Sequence, residues 1–176
     1  MPDRPNNPAR ERILQAAAEL MESQGYHGTG INQIIETSGS PKESLYHYFP
    51  EGKEALASEM LAVKGRYVAE RIQQGLASAD APAEAVRNLI LGLAGRVGEM
   101  QACPVPQGHF LSIAGVALET AQHSPRLRET CQEIYQHWHG LLYDKFVTAG
   151  YSASQAERLA TTITAAIDGA IIQARL

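Results

Sequence analysis

The sequence predicts an all-α fold, a small three-helix head followed by a larger helical body, on three observations. Apolar residues recur at spacings of three and four along most of the chain, which gives each segment one buried helical face. No stretch alternates apolar and polar residues as a half-buried strand would. Prolines, glycines and serine-proline pairs cut the periodic runs into pieces of helix length.

The first helix is expected from Pro8 to about Gln24, with Ile13, Leu14, Ala17, Leu20 and Met21 on one face. Gly25 stands where a left-handed terminator belongs, with Tyr26 packing back beneath it. Gly28-Thr29-Gly30 leads into a short second helix that carries Ile31, Ile34 and Ile35. Ser38-Gly39-Ser40-Pro41 then stops one helix and starts the next. Ser40 as N-cap with Glu43 three residues on forms the spacing of a capping box, and Pro41 suits the first helical position. The third helix is therefore two turns, about Pro41 to His47, with Leu45, Tyr48 and Phe49 turned inward. Two helices joined by a tight glycine-containing turn have the spacing of a helix-turn-helix.

A fourth helix is expected from about Gly52 to Leu76, and a fifth from Asp80-Ala81-Pro82 to near Met100. Residues 101–108 hold two prolines and a glycine and read as a loop. A mostly apolar sixth helix runs from about His109 to Gln122. Ser124-Pro125 opens a seventh that ends before Gly150. Ser152 and Gln155 form a second capping box, opening an eighth helix that runs to the last residue. The expected domains are 1–50 for the head and 51–176 for the body.

The 176 residues suit one ordinary domain or a small module joined to a larger one. With 44% hydrophobic and 19% charged residues the chain is globular in composition. No run approaches the roughly 18 apolar residues of a membrane span. The start has no apolar core of the kind a secretion signal needs. Two cysteines, Cys103 and Cys131, form neither a disulfide framework nor a zinc pattern, so a reducing cytoplasm is the expected compartment. The net charge of -4 argues against indiscriminate coating of nucleic acid. Residues 1–60 hold five Lys/Arg against nine Asp/Glu, so the head itself is acidic. Any phosphate affinity there must come from a few cations placed at a contact surface.

The stretch from Gly25 to Ile34, followed by Ser38 to Phe49 with its Leu45-Tyr46-His47-Tyr48-Phe49 ending, resembles the DNA-binding domain of the TetR family of bacterial repressors. Pro50-Glu51-Gly52-Lys53-Glu54-Ala55-Leu56 extends the likeness into the fourth helix. Ala102-Cys103-Pro104-Val105 before an apolar helix is similar to the LmrA/YxaF-type branch. The resemblance implies an N-terminal three-helix DNA-binding domain followed by a helical ligand-binding and dimerisation domain. It implies a homodimer on a pseudo-palindromic double-stranded operator, released by a small, largely apolar effector. Two departures stand out: Glu43 replaces a residue that is often small, and the family usually adds a helix beyond Leu176.

Within such a motif the third helix enters the major groove with its first residues at the base edges. Lys42 and Ser44 are its outward positions there, and both can hydrogen-bond bases. Tyr46 and His47, near its end, suit phosphate and sugar. Thr29, Asn32 and Gln33 open the second helix, where family members also touch DNA. Lys53 opens the fourth, where an ammonium beside free backbone N–H groups suits a phosphate. On periodicity alone Lys42, Asn32 and Gln33 fit ordinary solvated residues equally well. Glu43 is expected to be the capping partner of Ser40. About six neutralised phosphates per dimer predict a salt slope near -5, hence weak non-specific binding.

In the body, Leu93, Val97, Met100, Cys103, Phe110, Ile113, Ala114, Ala117, Tyr135, Trp138 and Leu142 are the candidate effector contacts, and each is also an ordinary core residue by type. The eighth helix is rich in small apolar residues around Gly169, and by the resemblance a symmetry mate covers it. His137 and His139 point to different helix faces, so no shared metal is expected, and no cofactor. Two alternatives remain. One is a regulator switched by oxidation at Cys103, although no charged neighbour lowers that thiol's pKa. The other is a thiol hydrolase using Cys103 and His109, which lacks a nucleophile motif, paired carboxylates and a phosphate loop. The expectation is a regulator and not an enzyme.

Overall fold

The computed structural model describes residues 7–94 and 113–173. Among these the fold is eight helices and no strand: α1 (Pro8–Gly28), α2 (Ile31–Ser38), α3 (Lys42–Tyr48), α4 (Lys53–Leu76), α5 (Pro82–Ala94), α6 (Ile113–Thr120), α7 (Pro125–Thr148) and α8 (Ala153–Gln173). No described helix is long and apolar enough to cross a membrane.

The caps explain most boundaries. Asn7 caps α1 by accepting the Ala9 N–H at 3.0 Å, and Pro8 follows at the first helical position. Gly25, at φ 77°, breaks α1 where the sequence placed its end, but the chain winds on for one turn to Gly28. Tyr26 is buried beneath the break. Gly39 ends α2 in the left-handed region at φ 58°. Ser124 caps α7 through the Leu127 N–H, and Gly150 closes that helix at φ 87°. The Ser152–Gln155 box is formed, each residue bonding the other's backbone N–H.

The box expected at Ser40 is absent. Pro41 holds the N-cap position with extended backbone, so α3 starts one residue later than Ser40 requires. Ser40 instead turns back, its N–H donating to Ser38 Oγ and its hydroxyl reaching the Ser38 carbonyl. Glu43 is thereby left as an exposed residue in the first turn of α3.

The described residues fall into two compact units, those within 1–64 and 103–131 and those within 65–102 and 132–176. In the first, α1 packs against α2, α3 and α6. Its core holds Ile13, Met21, Ile34, Leu45, Phe49, Leu56, Leu61, Val116 and Leu127, each nearly or fully removed from solvent. Burying such a side chain contributes about 1.5–3 kcal/mol relative to exposure. α6 falls in the first unit with α1, α2 and α3. The second unit is built on Ile72, Leu76, Leu89, Ile134, Trp138, Leu142 and Phe146. Close approach sets its packing. A Cβ on Gly65 would lie 2.7 Å from Ile134 Cγ1, and one on Gly75 would lie 2.8 Å from Leu89 Cβ.

Candidate nucleic-acid interface

α3 divides cleanly by face. Leu45 is completely buried and Phe49 nearly so, which anchors the helix from behind. Lys42, Glu43, Tyr46 and His47 are exposed, and Ser44 is half-buried. The Lys42 ammonium lies 6.0 Å from the centroid of the Tyr46 ring, a cation–π distance that gathers the two side chains at one end of the exposed face. Tyr48 faces inward, its hydroxyl accepting from Asn7 Nδ2 and its ring meeting His47 edge-on. The turn into α4 is tight: Gly52 has φ 64°, and a Cβ there would lie 3.7 Å from both Ile31 and Tyr46.

On α2, Asn32 is exposed. Gln33 is exposed too, but its Oε1 accepts the Gly30 N–H at 2.8 Å and the Gln24 amide at 3.2 Å, so it caps its own helix. Two of the expected contact residues have partners inside the protein. Thr29 is 1% exposed, and its hydroxyl donates to the Gly25 carbonyl at 2.8 Å; it closes the break in α1 and its side chain does not reach outward. The Lys53 ammonium donates to the carbonyls of Tyr26 and Thr29, both at 2.8 Å, and sits 4.3 Å from the Tyr26 ring centroid. Burial lowers its pKa, partly offset by the Glu119 carboxylate. It serves the end of α1, where unpaired carbonyls favour a cation.

Sequence reasoning missed Glu119. Its carboxylate accepts the His27 backbone N–H at 3.0 Å, and its carbonyl accepts from His27 Nε2 at 2.8 Å. Glu54 accepts from the Ser124 hydroxyl, and Glu51 pairs with Arg126. These partners stand 70 or more positions apart in the chain, so no local spacing announces them.

Of the effector candidates, Val97, Met100, Cys103 and Phe110 lie outside the described residues. Ile113, Ala114 and Ala117 fall in the first unit, and Leu93, Tyr135, Trp138 and Leu142 in the second. Trp138 is buried with its indole N–H committed to the Gly65 carbonyl at 3.0 Å, and Leu142 is 1% exposed. Tyr135 meets Trp138 edge-on. Cys131 is buried, and burial pushes its thiol up to about 11, so it is an inert core residue. Among the described residues no group of three or more His, Cys, Asp or Glu is placed to hold a metal ion.

A short helix exposed on one face and anchored on the other, set behind a second helix and a left-handed glycine, is the arrangement of a helix-turn-helix. The profile described as bacterial regulatory proteins, tetR family, matches residues 13–60, and that of the transcriptional regulator LmrA/YxaF-like C-terminal domain matches residues 82–176. The chain belongs to the TetR family. The HTH-type transcriptional regulators YxaF and LmrA of Bacillus subtilis (strain 168) are each 37% identical to it over 93% of its length, covering 83% and 85% of theirs. Among solved TetR-type folds, a TetR transcriptional regulator from Legionella pneumophila superposes with a TM-score of 0.74 at 18% identity, covering 98% of this chain and 89% of that one. Reduced NemR of E. coli gives 0.69 at 21%, covering 96% and 88%. As a TetR-family transcriptional regulator it is not an enzyme, which removes the hydrolase alternative.

Proposed function

We propose that this TetR-family regulator is a repressor that binds a pseudo-palindromic operator as a homodimer and is released by a small, largely apolar effector. The observation that carries this is the face of α3. Lys42, Ser44, Tyr46 and His47 form its outward side, over a buried Leu45 that holds it rigid. Lys42 is placed to donate to guanine and Ser44 to either kind of base. Tyr46 and His47 contact phosphate and sugar, while Asn32 and Gln33 add backbone contacts from α2. Glu43, beside them and free of a capping role, repels phosphate and sharpens the need for the correct register.

Dimerisation is assigned to α8. Ala156 and Ala160 are buried within their own chain, whereas Ala166 and Ala170 are exposed and Ile163 and Ile167 half-exposed. An apolar stripe at spacings of three and four, with small side chains, suits a close isologous helix contact. Each dimer then presents two copies of α3 to successive major grooves, about 34–36 Å apart.

The effector acts by population shift, binding more tightly to the state whose α3 spacing misses that repeat. Half-buried Leu93 and Tyr135 are the effector contacts, while buried Trp138 and Leu142 belong to the core. The experiment is a binding assay on a duplex that the full-length protein selects from a random library. Lys42→Ala and Tyr46→Ala must each weaken binding, and native mass spectrometry must find two protomers per duplex. Unchanged binding by both variants, or one protomer per duplex, contradicts the proposal.

A further inference from the structure

Glu43 is the charged residue on the outward face of α3 to which the fold gives no internal role. The box spacing pairs it with Ser40, yet Ser40 turns back to Ser38 and Pro41 holds the N-cap position. Its neighbours are engaged elsewhere. The Lys42 ammonium lies 6.0 Å from the Tyr46 ring centroid, and the His47 ring meets Tyr48 edge-on at 4.9 Å. Glu43 itself is exposed and, among the described residues, makes no hydrogen bond or ion pair. It shares a helical face with Tyr46 and His47, three and four positions on, and follows Lys42 in the first turn. A carboxylate in that place is neither a cap nor half of a pair within the chain. Facing phosphate, it would only repel. An ionised carboxylate has acceptor oxygens and no donor, so the groups it suits in a groove are the amino groups of bases.

We propose that Glu43 is a specificity-determining residue that accepts a hydrogen bond from the N4 amino group of a cytosine in each half-site. This rests on the DNA-binding reading of α3 above and deepens it. Cytosine presents a donor in the major groove, whereas thymine presents its O4 acceptor and guanine its N7 and O6 acceptors, which a carboxylate repels. Adenine offers its N6 donor only beside the N7 acceptor. Glu43 therefore selects by attraction to one base and by rejection of others. Lys42, one residue earlier, donates to guanine O6 or N7. The consecutive opposite charges match the acceptor and donor edges of G·C pairs, so guanine and cytosine stand together where the start of α3 meets each half-site.

The test puts full-length wild type, Glu43→Ala and Glu43→Gln through selection from a random duplex library. Affinity is then measured on the selected duplex, on versions changed at single positions, and on a scrambled duplex. Wild type is expected to select a cytosine at one position of each half-site and to bind about ten- to a hundredfold more weakly when thymine replaces it. Glu43→Ala is expected to lose that preference, to keep the guanine read by Lys42, and to bind the scrambled duplex at least as tightly as wild type. Glu43→Gln is expected to accept adenine at that position, because an amide both accepts from N6 and donates to N7. Glu43 is exposed and unpartnered, so thermal melts of both variants should match wild type and the preferences are read on folded protein. An unchanged preference in Glu43→Ala overturns the proposal. So does tighter binding to every duplex by one common factor, which identifies a carboxylate that meets phosphate only. Failure of the α3 reading itself looks different: wild type then selects no sequence and Lys42→Ala changes nothing, which overturns both.

Discussion

His27 and Glu119 are joined twice: the Glu119 carboxylate accepts the His27 backbone N–H, and the Glu119 carbonyl accepts from the His27 ring. A residue of α6 thus grips the last turn of α1, just after the break at Gly25. The first link needs the carboxylate and the second does not. Glu119→Ala should therefore cost about 1 kcal/mol in urea unfolding, while Glu119→Gln, which keeps an acceptor oxygen, should cost about half of that or less. Equal losses in the two variants would argue that the carboxylate's charge, and not its hydrogen bond, holds the turn.

Gly25 and Gly39 both have positive φ, yet they differ in surroundings. A Cβ on Gly25 would lie 2.9 Å from Glu119 Oε1, whereas nothing stands within 4 Å of one on Gly39. Gly39→Ala should cost only the backbone strain, about 1–2 kcal/mol. Gly25, at ψ 172°, lies in a region essentially restricted to glycine, so Gly25→Ala carries more backbone strain and also displaces the Glu119 carboxylate. Its loss should exceed that of Gly39→Ala by at least about 1 kcal/mol. In the Gly25→Ala, Glu119→Ala double variant the two losses should be less than additive, because the colliding group is gone. Thermal or urea melts of the four proteins check this.

Gly65 lets α4 approach α7 within the second unit. Its carbonyl accepts the Trp138 indole N–H, and a Cβ would meet three carbons of Ile134 at 2.7–3.1 Å. Gly65→Ala should destabilise by about 1–3 kcal/mol despite alanine's better helix propensity. Adding Ile134→Val, which removes one of those carbons, should recover part of it. A stabilised Gly65→Ala would mean that the two helices are not packed this closely.

Cys131 gives the protein a defined alkaline weakness. Burial raises its thiol from the ordinary 9.0 to about 11. As pH rises between these values the unfolded chain loses this proton first, so the folded state binds more protons and stability falls. The contribution is complete below pH 9 and about 2–3 kcal/mol of it is lost by pH 11. Tyr26, also raised by burial, acts in the same sense near pH 10, while Lys53, lowered by burial, acts in the opposite sense below its unfolded value of 10.5. Comparing wild type with Cys131→Ala isolates the thiol. Urea unfolding at pH 8 and pH 10.5 should show a shallower decline in the variant, and parallel declines would contradict the assignment.

The helices were legible because their signals are local. Pro8, Ser124-Pro125, Gly150 and the Ser152–Gln155 box each act within a few residues of the boundary they set. The exposed face of α3 was legible for the same reason, through Leu45 and Phe49. Ser40 misled because the same four residues admit two hydrogen-bond solutions, and Pro41 decides for the one that turns back to Ser38. Lys53 shows a different limit. Its type and place at a helix start fit a phosphate, and only the fold reveals carbonyls 24 and 27 positions away. Glu119 was invisible, since its partner lies 92 positions upstream.

The central claim is that the exposed face of α3, with Lys42 at its start, meets DNA in both halves of a dimer. Fluorescence anisotropy of a selected duplex across a potassium chloride series tests it most directly. The account predicts that Lys42→Ala binds the selected duplex more weakly by about 1–3 kcal/mol across the series and discriminates less at the base it reads in each half-site. A Lys42→Ala protein that binds the same duplex with the same affinity and the same discrimination would contradict it.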